Sequence, residues 1–289
     1  MFGLLNVHKP AGITSRDVVN RVQRLVRPHK VGHAGTLDPL ATGVLVVCIG
    51  QATRLIEYVQ RMPKRYVGTF LLGRRSDTED IEGTVEELPD PPIPDEATIR
   101  QALPQFVGTI EQLPPAYSAL KVDGRRAYDL ARRGEEVVLQ ARPIEVYSID
   151  LVRYAYPELT FDIRCGSGTY VRSLGRDIAR AVGTEAVMSA LVRQEIGPFL
   201  LDAALEYDAI TRETIASNLR PGAEAVAGLP RVTVGPKEIA ELSNGRRIAN
   251  PDGLQADEIA AVAESGQLVA LLRTAEDGRL QPTRFFPAA

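Results

Sequence analysis

The sequence predicts an α+β protein of two domains, and three observations carry that expectation. The chain has 289 residues, more than a single hydrophobic core ordinarily serves. Strand-like apolar runs recur along it, among them Val44-Leu45-Val46-Val47-Cys48-Ile49 and Val67–Leu72. Between them lie capped stretches with apolar residues at helical spacing, such as Val18, Val22, Leu25 and Val26. A 44% apolar and 25% charged composition is ordinary for a globular chain. No apolar run reaches membrane length, and Phe2–His8 is too short and interrupted for a secretion signal, so a cytoplasmic protein with no membrane partner is expected. Cys48 and Cys165 stand far apart in apolar surroundings, which points to buried free thiols. His8, His29 and His33 form no helical ligand pair, and no metal site is expected.

The elements follow in order. Residues 2–8 read as a strand and Lys9-Pro10-Ala11-Gly12 as a turn; Thr14 or Ser15 caps a helix that ends before Pro28. Gly32-His33-Ala34-Gly35-Thr36-Leu37-Asp38-Pro39-Leu40-Ala41-Thr42-Gly43 is a glycine-punctuated loop at the mouth of the strand 44–49. Its glycines allow close approach of another chain or a ligand, and Pro39 keeps Asp38 extended. A short helix around Ala52–Tyr58 leads to a strand from Lys64 to Gly73, where Tyr66 by itself reads as a packing residue. Asp77–Gly83 lacks the alternating ligands and closing Glu of a calcium loop, and reads as a hairpin or loop. Leu88–Pro94 is an acidic, proline-rich surface connection, after which Asp95 caps a helix to about Leu103. Arg125–Gly134 reads as a basic helix ended by its glycine. Pro143–Tyr154 and Glu158–Cys165 read as strands. In the stretch after them Gly166 and Gly168 fit a dinucleotide fingerprint, but Val171 replaces its third glycine. A helix over 173–182 ends at Gly183. A helical connection over 206–228 precedes a compact tail: strand Arg231–Val234, helix Lys237–Ser243, and a strand pair around Gln267–Arg273 and Leu280–Phe286.

Charge is unevenly spread. The formal net charge of −3 speaks weakly against an RNA partner. Yet residues 1–75 hold twelve Lys and Arg against Asp17, Asp38 and Glu57, whereas 76–100 hold nine acids against Arg100. A polyanion is drawn to the first region and repelled by the second.

The loop carrying Asp38 resembles the catalytic motif of the bacterial tRNA pseudouridine-55 synthases, the TruB family. Six further stretches resemble that family in family order: Lys9-Pro10-Ala11-Gly12-Ile13-Thr14-Ser15, the Lys64-Arg65-Tyr66 strand start, Asp77-Thr78-Glu79-Asp80-Ile81-Glu82-Gly83, Pro114-Pro115-Ala116-Tyr117-Ser118-Ala119-Leu120-Lys121, Cys165–Arg172, and the strand Ala190–Phe199. The resemblance implies a mixed, mostly antiparallel sheet of the pseudouridine synthase type over residues 1–228. Within it, residues 112–142 correspond to an insertion that grips the RNA loop. Residues 229–289 look like a small β-rich PUA-type RNA-binding domain. The resemblance also implies Asp38, Tyr66 and Arg172 as catalytic residues, with Arg172 paired to Asp38, and His33, Lys9, Lys64, Tyr170, Gly35 and Lys121 as substrate-binding residues.

The chemistry so implied is an isomerisation, which needs no redox cofactor, nucleotide or metal. It needs an ionised carboxylate beside the sugar and base and a base for the C5 hydrogen, and an Asp of ordinary pKa near ~3.9 is ionised at neutral pH. Tyr66 offers a ring to stack on uracil. The target base must leave a folded loop, at a cost of a few kcal/mol. The implied partner is the T arm of tRNA, met by a monomer without an obligatory protein partner. Aspartyl-phosphate chemistry would want a second acid two residues on, where Leu40 stands. A catalytically inactive RNA-binding protein and a guide-dependent synthase are the alternative readings.

Overall fold

The computed structural model of the chain describes residues 1–115, 117, 121–122, 125–126 and 139–287. A ten-stranded mixed sheet runs in the order Leu205–Glu206, Gly3–Lys9, Thr42–Ile49, Ala186–Ile196, Lys64–Leu72, Glu158–Cys165, Arg142–Ala155, Gly108–Gln112, with Val31–His33 and Phe199–Leu200 as side branches. Among its pairings only Gly3–Lys9 with Leu205–Glu206 and Thr42–Ile49 with Ala186–Ile196 are parallel. The mostly antiparallel α+β architecture is as expected.

The Thr42–Ile49 strand is buried on both faces, which explains its unbroken apolar run. Val44, Val46 and Cys48 belong to one apolar cluster; Leu45, Val47 and Ile49 belong to another, shared with Val18 and Val22 of the Ser15–Leu25 helix. That helix starts at Thr14, whose hydroxyl accepts from the Asp17 amide while the Asp17 carboxylate accepts from the Thr14 amide. A third cluster, centred on Phe70, Phe161 and Leu174, lies between the sheet and the Val171–Ala181 helix. Gly175 lets that helix close on the sheet, since a Cβ there would fall 1.9 Å from the ring of Phe70. Both cysteines are free and buried, and burial pushes their thiols up, to about 12 for Cys48 and about 11 for Cys165.

The tail has its own four-stranded sheet, in the order Arg231–Val234, Ile259–Ala263, Leu268–Thr274, Leu280–Phe285, with the Pro236–Ser243 helix beside it. The Ile259–Ala263 strand is absent from the sequence reading: three of its five residues are alanine or carry no strand-favouring side chain, so the local pattern is weak. The tail is packed on the large sheet. Phe286 stacks on Phe2 at 5.5 Å, Tyr58 donates to Glu258 at 2.6 Å, and Arg284 meets Glu57 at 2.6 Å. Arg125–Arg126 pairs as a strand with Lys121–Val122 instead of opening a helix; the rest of the expected basic helix lies outside the described residues. No helix among the described residues is long and apolar enough to cross a membrane.

Candidate active site

The loop 32–43 is held from three directions. From the Ser15–Leu25 helix, the Ser15 hydroxyl accepts from the Leu37 amide at 2.8 Å and donates to the Leu37 carbonyl at 3.1 Å. From the Gly3–Lys9 strand, the wholly buried Lys9 ammonium donates to the carbonyls of Pro10, Ile13 and Pro39 at 2.9, 2.7 and 3.2 Å. From the Ala186–Ile196 strand, Arg193 donates to Val44, Gly35 and Thr36 carbonyls at 2.7, 3.1 and 3.4 Å. Gly43, at φ +105, leaves no room for a side chain: a Cβ would stand 2.2 Å from the Arg193 carbonyl oxygen.

These supports present the Asp38 carboxylate to Arg172, whose Nε lies 3.1 Å from Oδ2. About 35% of the Asp38 side chain is open, so a ligand has access to it. Burial pushes its carboxyl above the ordinary range, and the Arg172 guanidinium opposes that rise. Arg172, in the first turn of its helix, is 6% exposed and its other nitrogens are also engaged. Nη1 meets Asp80 at 3.2 Å and donates to the Thr78 carbonyl at 2.7 Å; Nη2 donates to the Tyr117 carbonyl at 3.0 Å.

Asp80 therefore completes the site, and sequence reasoning left it without a role. Its carboxylate accepts from the Thr78 hydroxyl at 2.5 Å and the Glu82 amide at 3.0 Å, and it is 2% exposed. The signal was present as a second acid within a motif, but its partner lies 92 residues away, beyond any local pattern. Arg193 was likewise overlooked as a support.

The remaining sequence candidates divide. Tyr66 is buried against Leu37, Ala41 and Val171, its phenol pushed up by burial. Gly35 sits in the loop at φ +96, and Tyr170 precedes the helix that carries Arg172. His33 lies on the loop's strand, its Nδ1 buried without a hydrogen-bond partner among the described residues; burial and the nearby Arg16 keep the imidazole below its usual pKa. Lys9 and Lys64 are internal struts rather than ligands for RNA. Lys64 donates to the Gln60 and Met62 carbonyls at 2.5 and 2.6 Å, and burial pushes both ammonium groups down to about 8. Neither side chain is open enough to meet a phosphate: 0% of Lys9 and 7% of Lys64 is exposed. The Lys121 side chain lies outside the described residues.

Comparison with known proteins matches residues 23–171 to the TruB family pseudouridylate synthase N-terminal domain. The chain belongs to the TruB family. The tRNA pseudouridine synthase B of Rhodopirellula baltica is 44% identical over 262 residues, covering 86% of this chain and 75% of that one. That of Dehalococcoides mccartyi is 39% identical over 290 residues, covering 99% and 97%. Among solved structures, a Cbf5-Nop10-Gar1 complex is similar with a TM-score of 0.73 at 27% identity, covering 100% of this chain and 84% of that one. An H/ACA RNP bound to a substrate RNA containing 2'-deoxyuridine follows with 0.72 at 25%, covering 99% and 86%. The family match spans the Asp38 loop, Tyr66 and Asp80 and ends one residue before Arg172.

Proposed function

We propose that this TruB-family protein converts uridine-55 in the T loop of tRNA to pseudouridine, and the observation that carries the proposal is the Asp38–Arg172 ion pair at the mouth of a core strand. Turnover breaks the N1–C1′ bond and joins C5 to C1′, with no net change of atoms or oxidation state. Asp38 is the nucleophile or base, with Arg172 opposing the rise that burial imposes on its carboxyl. Tyr66 walls the pocket for the flipped base, at a site where burial keeps its phenol protonated. His33, Gly35 and Tyr170 line the approach.

Residues 1–228 form the catalytic domain, with residues 112–142 as the segment that grips the RNA loop, and 229–289 form a PUA-like domain that holds tRNA away from the reacting base. The enzyme acts in the cytoplasm as a monomer, on tRNA alone. Relatives named tRNA pseudouridine synthase B at 39–44% identity support that reading over a guide-dependent one, which rests on structures 25–27% identical.

The test is incubation of purified protein with unmodified tRNA transcript, without guide RNA or other protein, followed by mapping of pseudouridine. One pseudouridine at position 55 is expected. No product overturns the proposal, and product only on addition of guide RNA and partner proteins favours the guide-dependent reading.

A further inference from the structure

Beneath the Asp38–Arg172–Asp80 contact lies a second layer of the same design. Arg176 stands one helical turn after Arg172 on the Val171–Ala181 helix, and Glu79 directly precedes Asp80. Arg176 Nη1 pairs with Glu79, whose other oxygen accepts from the Ser173 hydroxyl at 2.7 Å. Arg176 Nε donates to Asp177 at 2.8 Å. Consecutive acids of one loop thus grip two arginines a turn apart.

The same arginines also reach the chain that leads into residues 112–142. Arg172 donates to the Tyr117 carbonyl at 3.0 Å and Arg176 to the Leu113 carbonyl at 3.2 Å. Just before the helix, the Tyr170 amide donates to Gln112 Oε1 at 2.8 Å and the Tyr170 carbonyl accepts from Gln112 Nε2 at 3.0 Å. At the other end of the segment, Arg142 donates to the Gly168 carbonyl at 2.7 Å and covers the Tyr170 ring at 5.2 Å. Both ends of the segment are therefore tied to residues 168–176.

Among the described residues Glu79 is one of two non-glycine residues with positive φ, at +64, a strained conformation that persists only when its surroundings hold it. Its carbonyl accepts from the Met188 amide at 3.0 Å, so the residue is held from the sheet through its backbone and from the helix through its side chain.

We propose that Arg176 and Glu79 are a positioning pair: they lock the root of the 112–142 segment and the Asp80–Arg172–Asp38 contact into one rigid unit. This inference rests on the proposed enzymatic reading and extends it to residues remote from the reacting carboxylate. Only 10% of the Arg176 side chain and 12% of the Glu79 side chain is exposed, so neither meets substrate. Loss of the pair frees Arg172 to drift from Asp38. Asp38 is otherwise faced by Asp80 and Glu82 from the Asp77–Gly83 loop, Lys9 from the first strand and Arg193 from the Ala186–Ile196 strand. With Arg172 displaced, its carboxyl rises further, and the acid limb of the rate profile moves to higher pH.

The experiment measures pseudouridine formation by wild type, the double variant Glu79→Gln/Arg176→Gln, Ser173→Ala, and the control Arg180→Gln on the same helix. Replacing both members of a buried pair avoids the uncompensated charge a single change would leave. For the double variant we expect kcat to fall about ten- to a hundredfold, as for misplaced catalytic groups, with KM within about twofold. Its acid limb should shift upward, and Ser173→Ala should show the same shift in smaller measure. Arg180, whose own side chain is exposed, should leave both unchanged. A folded double variant, or Ser173→Ala should the double not fold, with wild-type kcat and an unmoved acid limb overturns the positioning role. Absence of product from wild type instead strikes the enzymatic reading itself.

Discussion

At the scale of single residues, Asp38 works under opposed influences: burial raises its pKa and Arg172 draws it back. The proposed mechanism needs the carboxylate, so activity should be lost as pH falls through the pKa of Asp38 in the folded protein. Because that pKa is raised, the acid limb of kcat should lie above the range of an exposed aspartate; a limb at or below ~3.9 would contradict it. Asp38→Asn keeps size and packing but removes the charge, and should abolish turnover while tRNA affinity, read by filter binding, stays within about threefold. Arg172→Lys supplies one nitrogen where four acceptors are served, and should lower kcat at least about a hundredfold; near wild-type rates would show that a point charge suffices. The types and positions of Asp38, Tyr66 and Arg172 were legible in the sequence, because each sits in a long motif. The burial of Lys9 and Lys64 was not: a basic residue in a basic region reads as a surface charge, and only the carbonyls converging on each ammonium show otherwise.

At the scale of elements, most strands and helices were legible, because their apolar periods and caps are local. The Thr14 cap, the Asp95 cap and the Thr42–Ile49 strand are examples. What escaped is pairing across sequence distance, as in the link from Asp77–Gly83 to the Val171–Ala181 helix. The Gly108–Gln112 strand, with the half-buried Ile110 as its one apolar side chain, also gave little signal and is fixed by its partner Arg142–Ala155. The crossing of the loop over Arg193 is a junction of backbone against backbone. Gly43→Ala would force a side chain into the Arg193 backbone at a left-handed φ, and should cost about 2–4 kcal/mol of stability by urea denaturation. Turnover by the folded fraction should fall as well, since the loop that presents Asp38 must shift. A loss under ~0.5 kcal/mol would mean that the strand relaxes freely.

At the scale of the whole molecule, the tail was legible as a separate sheet, but its seating was not. Composition marks a boundary before Leu229; it does not reveal that Phe2, Tyr58 and Glu57 are covered by Phe286, Glu258 and Arg284. A chain ended after Ala227 should therefore remain folded yet lose stability, on the order of 1.5–3 kcal/mol for each large apolar side chain it uncovers. If the tail holds distant parts of tRNA, KM for full-length tRNA should rise, while an isolated T-arm stem-loop is turned over as by the intact chain. Equal impairment on both substrates would make the tail part of the catalytic unit. The large sheet carries one more lesson. Its flank bearing Gly3–Lys9 and Thr42–Ile49 joins the flank beginning at Ala186–Ile196 along a short parallel ladder, Val192 with Thr42 and Arg193 with Gly43. In mechanical terms these are two plates hinged at a corner, and the Asp38 loop is anchored beside the pivot by Arg193. When a long lever such as tRNA twists one plate against the other, points at the rim travel farthest and points near the pivot least. The Asp38 loop, beside that pivot, is where such a twist should be felt least.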